Sequence, residues 1–471
     1  MNSVRGVVLA AGKSTRFGNY FNKLLTPLCG TPLITHTTQL LQLLNIPTTV
    51  VIGHLKEQVA AAITAHNPNA TFAIQEEALG TGHALLCSTA YWDTEHILVL
   101  NGDMPLVTAD LIETLIAEHT KHESAVSFVM AYPDTLNHAY GRVIIDDAGT
   151  HIVEAKDFKG DATKEYPINA GIYIFKRSFL EQYAEDLKPN NAQKQLYITD
   201  LIGIASAQKL CVNTVLYDYT TIRGVNTLAE FTRAADIMRD RIAQHWLASG
   251  VLVEDPTTIW IDAMVKIGAG TRIASGVHLR GATTIGTQSI IEPYSIIENC
   301  TIHDMVTVQS HSVIKNSTIH AHASVGPFAH IHHETVIGTQ SVVGNFVEVK
   351  NTIIGTNTKA KHLSYLGDAQ IGNAVNIGAG TITCNYNGTT KARTIIEDES
   401  FIGSNSVLIA PITIGEGAYT AAGSTITHSV PEHALAIGRA RQVNKPEYAK
   451  RLRPVKKITI PSSSSSSVCQ L

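Results

Sequence analysis

Four things are missing from this chain. Neither charge is in excess: 36 Lys and Arg stand against 40 Asp and Glu over 471 residues, so no basic balance points to a nucleic acid partner. No apolar run reaches membrane-spanning length, which argues against helical insertion into a bilayer. At the N-terminus no basic region, apolar core and cleavage site follow one another. Met1-Asn2-Ser3-Val4-Arg5 runs straight into Val7-Val8-Leu9, and no secretory signal is expected. The six cysteines include no CxxC pair, which suits free thiols in a reducing compartment. A soluble cytoplasmic protein of two or three domains is the expectation. Cys469 lies third from the C-terminus, one place short of a prenylation box.

What the chain does contain is a long six-residue rhythm. Aliphatic residues recur at Ile267, Ile273, Leu279, Ile285, Ile291 and Ile297. After slips of one they resume at Ile302, Val308 and Ile314, then at Ile319, Val325, Ile331, Ile337, Val343 and Val349. Ile354, Leu366, Ile371 and Ile377 continue the set, and Ile396, Ile402, Leu408 and Ile414 close it. Glycine often follows directly, as in Ile285-Gly286 and Ile337-Gly338. A step of six matches neither a helix nor a two-faced strand. It matches hexapeptide repeats stacked as a parallel β-helix, with three short strands per coil and roughly eight or nine coils. Between Ile377 and Ile396 the count breaks, so Cys384 to Thr390 reads as an inserted loop.

Residues 1–226 alternate strand-like and helix-like segments instead. Strand patterns at Val7–Leu9, Thr48–Gly53 and Ile97–Leu100 are separated by helical stretches after Pro32 and from about Lys56. That alternation predicts an α/β domain with a mainly parallel sheet, whose ligand crevice lies at the carboxyl ends of the strands. Gly12 and Asp103 both follow strands and should face it. In Leu9-Ala10-Ala11-Gly12-Lys13-Ser14-Thr15-Arg16, small residues let backbone N–H groups approach a phosphate, and Lys13 and Arg16 add positive charge. It is not a P-loop: that motif needs glycine at position 7, which is Val7. Residues 227–250 read as a helical linker, 251–436 as the β-helix and 437–471 as a tail with a basic run and six serines, Ser462 to Ser467, expected to be disordered.

The runs LAAGKSTRFG, Asn22-Lys23-Leu24, Gln75 to Ala84, NGDMPL, Tyr140-Gly141-Arg142, Asn169-Ala170-Gly171 and Gly224-Val225-Asn226 occur in the order found in sugar-nucleotide pyrophosphorylases. With the hexapeptide array behind them, the chain resembles the bifunctional N-acetylglucosamine-1-phosphate uridyltransferase / glucosamine-1-phosphate acetyltransferases. The resemblance spans nearly the whole chain. It implies a Rossmann-like nucleotidyltransferase domain followed by a left-handed parallel β-helix, and a homotrimer acting on small molecules: glucosamine 1-phosphate, acetyl-CoA and UTP. By the same resemblance Leu9, Ala10, Ala11, Gly12, Gln75, Gly80 and Thr81 bind the uridine part. Arg16 and Lys23 neutralise triphosphate charge. Gly141, Glu154 and Asn169 bind the amino sugar, and Asp103 and Asn226 bind Mg²⁺. Asn101 and Gln195 stand where tyrosine and glutamate are usual.

For the array, HLSYLGD followed by NIGAGTITCNYNG is close to the acetyltransferase pattern. The resemblance makes His362 the general base on the amine, with Glu348 as its support, and assigns Lys350, Tyr365 and Asn376 to the sugar phosphate. Asn385, Tyr386, Ala379, Ser404, Ala422 and Arg439 are assigned to acetyl-CoA, with Asn385 the candidate oxyanion donor. Cys384 reads as a packed thiol. One departure matters: His332 falls where a phosphate-binding arginine is usual, and histidine lacks the bidentate fork. A metal site in His330-Ile331-His332-His333 is not expected, because residues alternate in and out of the wall. Uridyl transfer alone on a scaffold β-helix is the alternative that His332 favours. A non-catalytic assembly is disfavoured by intact Asp103, Lys23 and Arg16.

Overall fold

A computed structural model describes residues 3–18, 20–135, 140–147, 149–161 and 164–452. The serine run, Cys469 and most of the basic run before them lie outside the described residues. The buried apolar run that opens the chain forms the strand Val4–Ala10. It pairs in parallel with Thr48–Ile52 on one side and His96–Asn101 on the other. The sheet runs Val212–Leu216, Val126–Ala131, Ile168–Lys176, His96–Asn101, Val4–Ala10, Thr48–Ile52, Thr71–Ile74. Ile168–Lys176 is antiparallel to both neighbours; the other ladders along this path are parallel. Helices follow Pro32 and start at Lys56, at Leu33–Leu43 and Lys56–Thr64. Leu9 lies opposite Asn101, so the loops carrying Gly12 and Asp103 leave neighbouring strands at the same end. That is the switch point of an open α/β sheet, where a crevice forms.

The helix Leu228–Ala248 begins with a capping box between Thr227 and Glu230, which satisfies orphan N–H groups at its start. Ala234, with Phe231 and Met238 against it, joins the apolar core of the α/β region. Ala243, with Ile242 and Trp246, joins the interior of the array. The helix therefore ties two cores together through opposite ends. Arg241 adds a bond from Nη1 to the Leu106 carbonyl, 2.6 Å.

From Leu252 onward the chain winds as a prism of short parallel strands. One wall is a ladder of nine strands from Lys266–Ile267 to Ile412–Ile414, hence nine successive coils. Aliphatic residues of the hexad set are inside: Ile273, Leu279, Ile291, Ile297, Ile314 and Ile331 are fully buried. The slips in the hexad count are coils one residue shorter, since Ile267 pairs with Ile285 but Ile285 with Ile302. The inserted loop is one enlarged coil, in which Ile371 pairs with Ile396. The glycines after the aliphatic residues serve close stacking: a Cβ on Gly338 would come within 2.5 Å of the Gly355 backbone in the next coil. Hydroxyls buried at the corners stitch the coils, as when Ser341 Oγ donates to the Gly355 carbonyl at 2.6 Å.

Candidate active sites

Two cavities meet at the carboxyl ends of the strands. One, of about 440 Å³, is lined by Leu9, Ala10, Ala11, Gly12, Gln75, Gly80 and Thr81 among others. The second, of about 530 Å³, is lined by Gly141, Glu154 and Asn169 among others. Arg16, Thr81, Asn101, Asp103 and Asn226 line both. Gly12 has no heavy atom within 4 Å of where a Cβ would be, so its backbone is open to a ligand. Gly80 is different: it sits at φ +113, and a Cβ would lie 2.4 Å from the Leu196 carbonyl oxygen. Only glycine meets both demands. Gln75 Nε2 donates to the Gly80 carbonyl at 3.1 Å, which fixes its amide at the mouth of this cavity.

At the junction the charged groups are already in contact. Lys23, 8% exposed, places Nζ 2.6 Å from Asp103 Oδ2 and 3.4 Å from Asn226 Oδ1. Arg16 Nη2 donates to the same Asn226 oxygen at 2.9 Å. A cation is thus held against one carboxylate and one carboxamide oxygen, a hard donor pair of the kind Mg²⁺ takes while keeping water and phosphate ligands. Asn226 is aimed by the capping box behind it, where its own N–H donates to Glu230 Oε2 at 2.7 Å. In the second cavity Asn169 Nδ2 donates to Tyr173 Oη at 2.6 Å. Thr199 Oγ1 donates to Glu154 Oε1 at 3.1 Å, while burial raises the Glu154 carboxyl above its ordinary value. Asn101 and Gln195, the two departures, both line the first cavity. Sequence reasoning missed Thr199 and Tyr173, which hold Glu154 and Asn169. Nothing in their local pattern marks them, since each lies in a buried run.

On the prism, coil stacking sets the neighbours. Asn345 lies opposite His362, and its Oδ1 is 3.0 Å from His362 Nδ1. An imidazole held at Nδ1 presents Nε2 outward as the acceptor for a proton. The expectation that Glu348 supports His362 is not met: Glu348 Oε1 lies 3.2 Å from His332 Nε2 instead. Register explains it, because Glu348 is level with His330 on one side and Tyr365 on the other. Asn385 also departs from its expected part. Its Nδ2 donates to Asp368 Oδ2 and reaches Tyr365 Oη at 3.5 Å. The amide is thereby engaged with Asp368 within the chain. Burial pushes the Asp368 carboxyl up, but the hydrogen bonds from Asn351 and Asn385, with the charges of Lys391 and Lys350, hold it net below its ordinary value.

Lys350 lies level with His332 and Gly367, near the Glu348–Tyr365 level. Asn376 sits on another stretch, level with Lys359 and Phe401. Ala379, Ser404, Ala422 and Arg439 follow one edge up successive coils. The Ala379 carbonyl accepts from Asn405 N at 2.7 Å, and the Ser404 carbonyl from Gly423 N at 2.7 Å; a Cβ on Gly423 would touch Arg439 Cδ at 3.8 Å. Tyr386 is 60% exposed on the inserted loop, and its hydroxyl donates to the Gly388 carbonyl at 2.6 Å. Half-buried Cys384 ends the strand before it. Burial lowers the His332 imidazole below its ordinary value, against the pull of Glu348.

The alternation argument against a metal fails for a geometric reason. Ile331 is fully buried between exposed His330 and half-buried His332, so the two histidines, two residues apart, share the outer side. With Glu348 they bring three ligand atoms within 4.8 Å of one another.

Comparison with known proteins bears on both regions. A MobA-like NTP transferase domain matches residues 6–197. A GMPPB C-terminal domain matches residues 259–354, and a bacterial transferase hexapeptide domain of six repeats matches residues 393–428. The first is the Rossmann-like nucleotidyltransferase domain, and the hexapeptide match makes the prism a left-handed parallel β-helix. The bifunctional protein GlmU of Geotalea daltonii is 40% identical over 451 residues, covering 94% of this chain and 98% of its own. That of Brevibacillus brevis is 39% identical, covering 96% and 98%. That of Thermodesulfovibrio yellowstonii is 41% identical, covering 95% and 99%.

Proposed function

This chain belongs to the bifunctional GlmU family, and from that premise we propose how its residues divide two transfer reactions between the crevice and the β-helix. The protein is a uridyltransferase and an acetyltransferase. It acetylates glucosamine 1-phosphate with acetyl-CoA, then couples N-acetylglucosamine 1-phosphate to UTP, giving UDP-N-acetylglucosamine, a cell-wall precursor, and pyrophosphate.

In the crevice, the cavity of Leu9 to Gly12, Gln75, Gly80 and Thr81 takes the uridine nucleotide. The cavity of Gly141, Glu154 and Asn169 takes the amino sugar. A sugar phosphate oxygen attacks the α-phosphorus of UTP, the new P–O bond forms, and the bond to the α–β bridging oxygen breaks as pyrophosphate leaves. Such transfer needs positioning and charge neutralisation rather than a protein nucleophile. Arg16 and Lys23 meet the charge that grows on pyrophosphate. Asp103 and Asn226 would hold Mg²⁺, which when bound would supply further charge neutralisation. The observation that carries this reading is the junction itself: two cavities sharing Arg16, Asp103 and Asn226.

On the β-helix, His362 takes a proton from the amine as it attacks the thioester carbonyl. The C–N bond forms, the C–S bond breaks, and coenzyme A leaves as its thiol. Asn345 holds His362, while Asn385 positions Tyr365 and Asp368. Lys350, Tyr365 and Asn376 hold the sugar phosphate, and Ala379, Ser404, Ala422, Arg439 and Tyr386 face acetyl-CoA. A homotrimer completes the site. Supporting this, Tyr294, His311, Phe328 and Phe346 stack along one outer edge with ring separations of 5.2, 5.0 and 5.4 Å. Leu363, beside His362 and 64% exposed, extends a ladder of apolar surface suited to burial against a second copy. The domain limits follow 1–226, 227–250 and 251–436, with 437–471 as a tail. The five described cysteines are free, which suits the cytoplasm; no helix among the described residues is long and apolar enough to cross a membrane.

The test is direct. Protein given acetyl-CoA, glucosamine 1-phosphate, UTP and Mg²⁺ should release coenzyme A and pyrophosphate in sequence. Pyrophosphate release only when N-acetylglucosamine 1-phosphate is supplied would overturn the β-helix assignment.

A further inference from the structure

Three potential ligands meet on the outer wall of the β-helix beside the acetyl-transfer residues. His330 and His332 flank buried Ile331 on one strand, and Glu348 lies directly opposite His330 on the next. One nitrogen from each ring and one Glu348 oxygen lie within 4.8 Å of one another. We propose that His330, His332 and Glu348 bind a divalent transition-metal ion of the Zn²⁺ class, and that this ion anchors the phosphate of the acetyl acceptor. The second half rests on the acetyl-transfer reading above; the first half does not.

The chemistry of the set is specific. Two imidazoles and a carboxylate are ligands that Zn²⁺ accepts, at about 2.0–2.2 Å, and three protein ligands leave a fourth position for an exogenous oxygen. Ligands at those lengths around a tetrahedral ion stand about 3.3 Å apart. His332 Nε2 and Glu348 Oε1 are already 3.2 Å apart. The His330 and His332 rings lie stacked and parallel, 4.2 Å between centroids; ring lone pairs lie in the ring planes, so one ring must turn for both nitrogens to meet one ion. The remaining closure falls to the exposed His330 side chain. His332 Nδ1 is paired with His333 Nδ1. A ring held at Nδ1 by an outer partner offers Nε2 to a metal, as ligating histidines commonly do.

Position gives the ion its use. Lys350 is level with His332, and Tyr365 is level with Glu348. These are two of the residues assigned to the sugar phosphate. Glu348 brings a negative charge among the residues assigned to a phosphate dianion, two residues along the strand from Lys350. A 2+ ion held by Glu348 turns that carboxylate from an opponent of the phosphate into a ligand of its counter-ion. A phosphate oxygen would take the open fourth position, with Lys350 as a further positive group for the same dianion.

Full-length protein is treated with a chelator selective for transition metals, then titrated with Zn²⁺ alone while bound metal is counted per chain. One Zn²⁺ per chain with a dissociation constant no weaker than about 1 µM is expected. His330→Gln and Glu348→Gln should each weaken it about tenfold or more. Coenzyme A release is then followed against glucosamine 1-phosphate. The KM should rise about tenfold on chelation and return with Zn²⁺, with kcat changed far less. Uridyl transfer in excess Mg²⁺ should not respond. His332→Arg, which puts a fixed guanidinium in place of the ion, should lose Zn²⁺ and make the KM indifferent to chelator. Absence of Zn²⁺ binding, or binding that survives both glutamine variants, overturns the site. Bound Zn²⁺ with an unmoved KM overturns the phosphate role. Bound Zn²⁺ in a protein that never releases coenzyme A supports the site and sinks the acetyl-transfer reading instead.

Discussion

The crevice and the β-helix bring their polar residues together in opposite ways. Arg16 meets Asn226 across 210 residues, and Lys23 meets Asp103 across 80. On the β-helix, Asn345 meets His362 across 17 residues, Asn385 meets Asp368 across 17, and His332 meets Glu348 across 16. In the first region a sheet must form before loops from distant strands can converge. In the second, each coil lays its side chains over those of the coil before, so sequence spacing is close to spatial adjacency. The two regions also differ in what they bury. Both buried histidines among the described residues, His96 and His119, belong to the α/β region, while the β-helix interior is aliphatic.

The sharpest way to break this comparison is to strip one centre and watch the other. Asp103→Ala should lower uridyl transfer about 10³-fold, measured as pyrophosphate release, and leave coenzyme A release intact. His362→Ala should do the reverse, costing acetyl transfer about 10²- to 10⁴-fold. If either variant silences both reactions, the two centres are not separate.

Acid should separate the regions by stability. Burial holds the His119 imidazole at about 4, against an ordinary 6.5, with its ring nitrogens 2.9 Å from Ser127 Oγ and 3.2 Å from His96 Nδ1. The folded ring stays neutral where the unfolded one takes a proton. Stability from this group is therefore whole above pH 6.5 and is lost as pH falls towards 4, by about 3 kcal/mol. Denaturant melts at pH 7 and pH 4.5 should show the α/β region weakening first, and His119→Gln should flatten that acid limb. A β-helix that yields first would contradict this. The smallest effect expected is that of Asn345→Ala. Loss of the bond to His362 Nδ1 should reduce kcat for acetyl transfer about tenfold with little change in KM; an equal rise in KM would make Asn345 a substrate contact.

Legibility followed the same division. The hexad count predicted the coils, their number and the inserted loop, because a period in sequence becomes a period in space. It did not mark the hydroxyls of Ser341 and its counterparts, whose partners are carbonyls rather than other periodic residues. In the α/β region the strands were readable from apolar runs. The partners of the site residues were not, as with Thr199 under Glu154. Even on the β-helix, the resemblance paired Glu348 with His362, whereas which neighbour a side chain reaches depends on the level at which strands pair. The alternation rule likewise read His330 and His332 apart when it places them together.

By itself the sequence determined a β-helix, a strand–helix alternation before it, and the residue types each centre would use. Hydrophobic spacing carries the two folds because burial of apolar side chains is local in pattern and indifferent to partner; the residue types of the centres came from motifs shared with a known family. Tertiary structure alone decided that Lys23 lies between Asp103 and Asn226, that Asn385 spends its amide on Asp368, and that Glu348 faces His332. Directional bonds between polar groups depend on ångström-scale register, and register exists only once the chain has folded.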